Sequence, residues 1–96
     1  MFQIILSTKF VNSYKKLIKN NKKLTDNIKE TVRQISIDPR NRVLKTHKVV
    51  THTGKVGWSS KVNGDLRIIW QYTNDKPEVL ELILIGGHSG KNKVYK

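Results

Sequence analysis

A chain of 96 residues buries roughly two-thirds of the surface its unfolded form exposes, enough for one domain and not two. Hydrophobic residues at 36% and charged residues at 27% give it the content of a folded domain, and the absence of Cys excludes a disulfide scaffold, a zinc finger and thiol catalysis. Lys and Arg number 19 against 7 Asp and Glu, a net charge of +12, so a partner that is a polyanion is expected: nucleic acid, an acidic protein or an anionic membrane.

Phe2 to Leu6 is apolar at most positions and suits a short, mostly buried strand. Ser7 or Thr8 offers an N-cap for a first helix, whose apolar face is Phe10, Tyr14, Leu17 and Ile18. Asn20 and Asn21 mark its stop. Thr25 is the expected cap of a second helix, with Ile28, Val32 and Ile35 on its apolar face, Asp26 in its first turn and Asp38-Pro39 at its end. Two helices on a short link predict an antiparallel hairpin. The period then changes. Val56 to Asn63 alternates through Trp58, Ser60 and Val62, and Asn63-Gly64 signals a hairpin turn. Leu66, Ile68, Trp70 and Tyr72 alternate with Arg67, Ile69 and Gln71 in a clear strand. Val79 to Ile85 is apolar on both faces, as an interior strand is, and Gly86-Gly87 ends it.

The expected order is β-α-α-β-β-β, an α+β domain with the helical hairpin on one face of a small, antiparallel-rich sheet and the other face open. The longest apolar run, Leu82 to Ile85, is too short to cross a bilayer. Met1 to Leu6 has neither a basic segment before it nor a cleavage site after it, so the expectation is an intracellular, cytoplasmic protein without a membrane partner.

The charge is unevenly spread. Thr8 to Thr25 carries Lys9, Lys15, Lys16, Lys19, Lys22 and Lys23 and no acid, the pattern of a solvated helix face. Pro39 to Gly64 also lacks acids while carrying Arg40, Arg42, Lys45, Lys48, Lys55, Lys61, His47 and His52. It runs from a loop into a sheet edge and fits a phosphate-tracking groove. All the histidines, His47, His52 and His88, lie from the middle of the chain onward; without Cys and with few acids nearby they make a poor metal site. They suit general acid–base work on RNA instead. Attack by the 2′-OH needs a base for its proton, cations for the pentavalent phosphorane and an acid for the departing 5′-oxygen, and needs no cofactor. Arg67 lies opposite Leu66, Ile68 and Trp70 on its strand, so it faces a site or pairs with a carboxylate, Asp65 being nearest. Trp58 and Trp70 read as core residues more than as base-stacking platforms.

Three segments carry a resemblance: Leu44-Lys45-Thr46-His47-Lys48-Val49; Gly57-Trp58-Ser59-Ser60-Lys61-Val62-Asn63-Gly64-Asp65-Leu66-Arg67-Ile68-Ile69-Trp70; and Leu84-Ile85-Gly86-Gly87-His88. In this order they resemble the RelE/ParE superfamily of bacterial type II toxins, with the RelE/YafQ-type mRNA interferases most alike. The resemblance implies a ribosome-dependent, metal-independent endoribonuclease that cuts mRNA through its 2′-OH on the open sheet face. It implies a small acidic antitoxin from an adjacent gene as partner, in a toxin–antitoxin hetero-oligomer. Its site residues fall on His47, Lys61, Asp65, Arg67, His88 and Tyr95: His88 or Asp65 as base, His47 or His88 as acid, Lys61 and Arg67 as charge stabilisers. Arg40, Arg42, Lys45, Lys48, Lys55, Lys91 and Lys93 are the expected RNA and ribosome contacts. The chain departs from the family at Lys61, where the YafQ-like branch has a His, and at its end, where Gly87 replaces a Thr and Tyr95 stands further from His88 than the family's Tyr does. The competing readings are a ParE-type inhibitor of DNA gyrase, which shares the fold and lacks the histidine pair, a non-catalytic RNA-binding module, and a degenerate toxin kept for binding its antitoxin.

Overall fold

The computed structural model describes residues 1–19, 21–50, 56–73 and 78–87. The chain runs β1 (Gln3–Leu6), α1 (Thr8–Ile18), α2 (Lys22–Ile37), a 3₁₀ turn (Arg42–Leu44), β2 (His47–Val50), β3 (Val56–Lys61), β4 (Leu66–Tyr72) and β5 (Val79–Gly87). The strands form one sheet in the order β1-β5-β4-β3-β2. β1 lies parallel to β5, and the other neighbours are antiparallel.

Local chemistry sets most of these boundaries. Ser7 caps α1: its Oγ accepts from Phe10 N at 3.0 Å and donates to Ile83 O at 2.7 Å, which ties the helix start to β5. α2 is capped four residues before the expected Thr25, at Asn21, whose side chain accepts from Leu24 N at 3.0 Å. The asparagine that reads as a stop is the start of the next helix, and Asp26 then falls beyond the first turn. Asp38 is the C-cap of α2 and Pro39 follows it, as expected.

The core is Phe10 of α1, Ile28 and Ile35 of α2, Leu44 of the 3₁₀ turn, and Leu66, Ile68, Trp70, Leu80, Leu82 and Ile85 of the sheet. On β4 these occupy alternate positions, so the helices cover the face that Leu66, Ile68 and Trp70 present. On β5 the alternation breaks: Ile69 pairs with Leu84 but Trp70 with Leu82, a bulge that inserts Ile83. This is why Leu80, Leu82 and Ile85 all reach one core, and why the strand reads as apolar throughout.

Two expectations change. β1 is a sheet edge, paired on one side, and leaves Ile5 46% and Leu6 51% exposed where a mostly buried strand was expected. β2 is an additional strand within the stretch expected to be a loop; four residues at the other edge of the sheet carry too short a pattern to read as one. The β3–β4 connection is Val62 to Asp65, with Val62 N donating to Leu66 O at 2.9 Å. Asn63 closes it through its side chain, whose Oδ1 accepts from Asp65 N at 3.1 Å and Leu66 N at 2.9 Å. Gly64 sits outside the left-handed region, so the turn depends on the Asn rather than on the Gly.

Candidate active site

Cross-strand partners share a sheet face. Lys61 of β3 pairs with Arg67 of β4, and Arg67 with Gly86 of β5. The next row on the same face is His47 of β2, Ser59, Ile69 and Leu84. Gln71 and Glu81 follow, joined by a 2.8 Å hydrogen bond from Nε2 to Oε1. The face away from the helices therefore carries an imidazole, an ammonium and a guanidinium at neighbouring positions. Gly86 adds no side chain beside Arg67. His47 is exposed, Lys61 and Arg67 are half-buried, and Ser59 and Ile69 are fully buried.

Arg67 neither projects alone nor depends on a carboxylate in the way the sequence suggests. Its guanidinium folds over the β3–β4 turn, with Nη1 donating to Asn63 O at 2.7 Å and Leu66 O at 3.1 Å, and Nη2 to Gly64 O at 3.4 Å. These carbonyls fix the fork while the cation stays on the open face. Asp65 is exposed at the same turn. His47 lies diagonally from Lys61, and its Nδ1 stands 3.3 Å from Lys45 O.

Of the expected RNA contacts, Arg40 and Lys48 lie on the side of the sheet away from His47. His47 and Lys48 are successive strand residues, so they point to opposite faces. Lys48 pairs with Trp58 and lies on the helix side. Arg40 is there too: its guanidinium carbon sits 4.5 Å from the centre of the Trp58 ring, a cation–π contact. Trp58 stacks in turn on Trp70 at 6.1 Å and 23°. Trp70 is fully buried and Trp58 half-buried, so both belong to the core, with Arg40 as a lid on the outer ring. Arg42 and Lys45 are exposed on the 3₁₀ turn and its C-cap. Lys55, Lys91, Lys93, His52, His88 and Tyr95 lie outside the described residues. Among the described residues no three His, Asp or Glu side chains gather as metal ligands.

Sequence reasoning did not single out Thr46 or the partner that Ser60 offers it. Trp70 Nε1 donates to Ser60 Oγ at 2.8 Å, Ser60 and Thr46 hydroxyls are 2.7 Å apart, and Thr46 Oγ1 donates to Pro39 O at 2.8 Å. The Thr46 proton is committed to Pro39, so Ser60 is the donor to Thr46. The relay runs Trp70 → Ser60 → Thr46 → Pro39, from the core of β4 to the loop after α2. Nothing in a Thr beside a His signals this from sequence.

Two concavities flank α2. One, about 510 Å³, is an apolar groove between α1 and α2 lined by Phe10, Tyr14, Ile18, Ile28 and Val32 with Lys15 and Lys29 at its rim. The other, about 570 Å³, lies between α2 and the end of β3, with Glu30, Thr31, Gln34 and Lys61 among its walls. Lys61 borders the second of these, while His47 and Arg67 line neither and lie on the sheet surface, which suits an extended polymer better than a small molecule.

No protein-family model and no curated protein matches the chain. Solved structures do. It is similar to YafQ from E. coli strain BL21(DE3), at 20% identity and TM-score 0.67 over 91% of this chain and 93% of that one. A metal-bound toxin from Helicobacter pylori is 26% identical, with TM-score 0.71 over 92% and 96%. A YoeB/ParE toxin from Agrobacterium tumefaciens is 14% identical, with TM-score 0.72 over 92% and 100%. Others are toxins held in complexes, among them E. coli DinJ-YafQ and Staphylococcus aureus YoeB-YefM. The chain has the fold of these toxins, as the resemblance of its sequence to the RelE/ParE superfamily implies.

Proposed function

We propose that the protein is the toxin of a type II toxin–antitoxin system and acts as a ribosome-dependent endoribonuclease on mRNA in the cytoplasm. The observation that carries the reading is the placement of His47, Lys61 and Arg67 at adjoining positions of the sheet face away from the helices. The reaction is an internal transfer. A base takes the 2′-OH proton, the 2′-oxygen attacks the phosphorus, and the P–O5′ bond breaks as an acid protonates the leaving oxygen. The products are a 2′,3′-cyclic phosphate and a 5′-hydroxyl end. Lys61 and Arg67 supply fixed positive charge for the phosphorane, where electrostatic stabilisation is worth most. His47 and Asp65 offer the proton-transfer groups of the described residues, with His88 and Tyr95 as the further candidates. The +12 charge draws the chain to ribosomal and messenger RNA with a strong salt dependence. The same charge favours a small acidic antitoxin, a partner supported by the DinJ-YafQ and YoeB-YefM assemblies.

The test is induced expression of the wild type, His47→Ala and Arg67→Ala with mapping of cleavage on ribosome-bound mRNA. Cleavage by the wild type and its loss in both variants is the expected result. Full activity in both variants sinks the assignment. A second reading, inhibition of DNA gyrase, is favoured by the structural likeness to a YoeB/ParE toxin. Supercoiling inhibition in vitro with intact mRNA decides for it.

A further inference from the structure

We propose that Thr46 and Ser60 are positioning residues for His47, holding its ring as the Nδ1–H tautomer with Nε2 as the proton-accepting nitrogen. The proposal rests on the nuclease reading of the open face.

Three observations meet at residues 45–47. Lys45 has φ 48° and ψ 42°, the only left-handed non-glycine residue among those described. An L side chain resists that conformation, so its surroundings must impose it. The relay through Ser60 does so from one side, because the Thr46 hydroxyl is held between Ser60 Oγ at 2.7 Å and Pro39 O at 2.8 Å. From the other side, the Lys45 amide donates to Arg42 O at 3.1 Å. The residue is thus clamped between its neighbours, and its carbonyl is delivered to within 3.3 Å of His47 Nδ1. A carbonyl oxygen only accepts. The contact is satisfied when Nδ1 carries the proton, which leaves the lone pair on Nε2.

β3 serves both ends of the device. Ser59 pairs with His47 and fixes its register, while the next residue, Ser60, grips Thr46 from the core side. Successive side chains of an extended segment point to opposite faces. The sheet edge therefore passes a constraint from the buried Trp70 to an imidazole on the open face. Without the hydroxyl of Thr46, Lys45 relaxes toward the conformations an L residue prefers, its carbonyl leaves Nδ1, and the ring loses the acceptor that selects its tautomer. RNA binding, carried by Lys61, Arg67 and the overall charge, is largely untouched.

The experiment compares wild type, Thr46→Val, Thr46→Ser and Ser60→Ala as full chains. The ring-nitrogen shifts of His47, read by 15N NMR above the imidazole pKa, give the tautomer. Steady-state cleavage gives kcat and KM. The wild type should show the Nδ1–H form. Thr46→Val and Ser60→Ala should lose that preference, with kcat down about tenfold or more and KM within about twofold. Thr46→Ser keeps the hydroxyl and should recover both. An Nε2–H tautomer in the wild type overturns the proposal whether or not any variant folds. So does a folded Thr46→Val with an unchanged tautomer and rate. If the wild type cuts no RNA, the nuclease reading fails, and the tautomer measurements still judge the positioning claim by themselves.

Discussion

Ser60→Ala removes one oxygen from a fully buried site and should cost far more than its size suggests. Two groups lose a partner. Trp70 Nε1, in a side chain with no solvent exposure, loses the acceptor at 2.8 Å and is left as an unsatisfied buried donor, at about 1–3 kcal/mol. The Thr46 hydroxyl loses the donor at 2.7 Å. It is half-buried and keeps its own bond to Pro39, so about 0.5–1 kcal/mol is a fair share. The sum is about 1.5–4 kcal/mol. For a domain of this length 1 kcal/mol corresponds to roughly 4–8 °C, so the melting temperature should fall by about 6–30 °C. Urea denaturation with an unchanged m-value is the assay. Thr46→Val completes a cycle: since both variants break the same bond, the double variant should cost less than the two singles together, by about 0.5–1.5 kcal/mol. A serine acting as mere filler predicts the opposite, a change within about 0.5 kcal/mol and simple additivity. That outcome refutes the relay as a source of stability.

Arg67→Lys keeps the charge but cannot span the carbonyls of Asn63, Gly64 and Leu66; it should cost about 1 kcal/mol in urea unfolding and speed amide exchange at Leu66. Wild-type protection there would show the fork to be incidental. Arg40→Ala uncovers the ring of Trp58, with a red shift in tryptophan emission and a loss of about 0.5–1 kcal/mol; an unshifted spectrum argues that Arg40 does not sit over the ring in solution. Hydrogen bonding from Arg33, helped by Gln34, pulls the exposed Glu30 carboxyl from 4.5 down to about 2. A depressed folded-state pKa stabilises above the unfolded value and is lost as pH falls through the folded one. Glu30→Gln should therefore flatten the acid limb of the stability curve between about pH 4.5 and 2, and a Glu30 carboxyl that titrates in its ordinary range contradicts the contact.

Much of the fold is legible from residue pattern. The helix faces of Phe10 and Ile28, the alternation about Ile68 and Trp70, and the stop at Asp38-Pro39 each reflect one local rule that the tertiary structure leaves intact. Asn20-Asn21 misleads because a single Asn can end one helix and cap the next, and both roles use the same side-chain chemistry. β2 is hidden because four edge residues gain their strand character from pairing with β3, not from their own periodicity. The candidate site divides the same way. Placing Lys61 beside Arg67 follows from alternation plus the Asn63 turn. Which of His47 and Lys48 faces the site depends on the register of β2 against β3, and a one-residue slip would exchange them. The Thr46–Ser60–Trp70 relay joins residues far apart in the chain through geometry alone, so no spacing rule could have found it.

The parallel pairing of β1 with β5 has a consequence for how the protein is made. β5 lies between β1 and β4, and it also receives the Ser7 cap of α1 through Ile83 O. Of the described elements it is synthesised last, and β1 has no strand to pair with until it emerges. Long-range pairing of this kind closes late and slowly. The five-stranded sheet is thus incomplete until β5 has been made, and a chain cut after Tyr72, which lacks the core residues Leu80, Leu82 and Ile85, should be digested by protease as fast as an unfolded one.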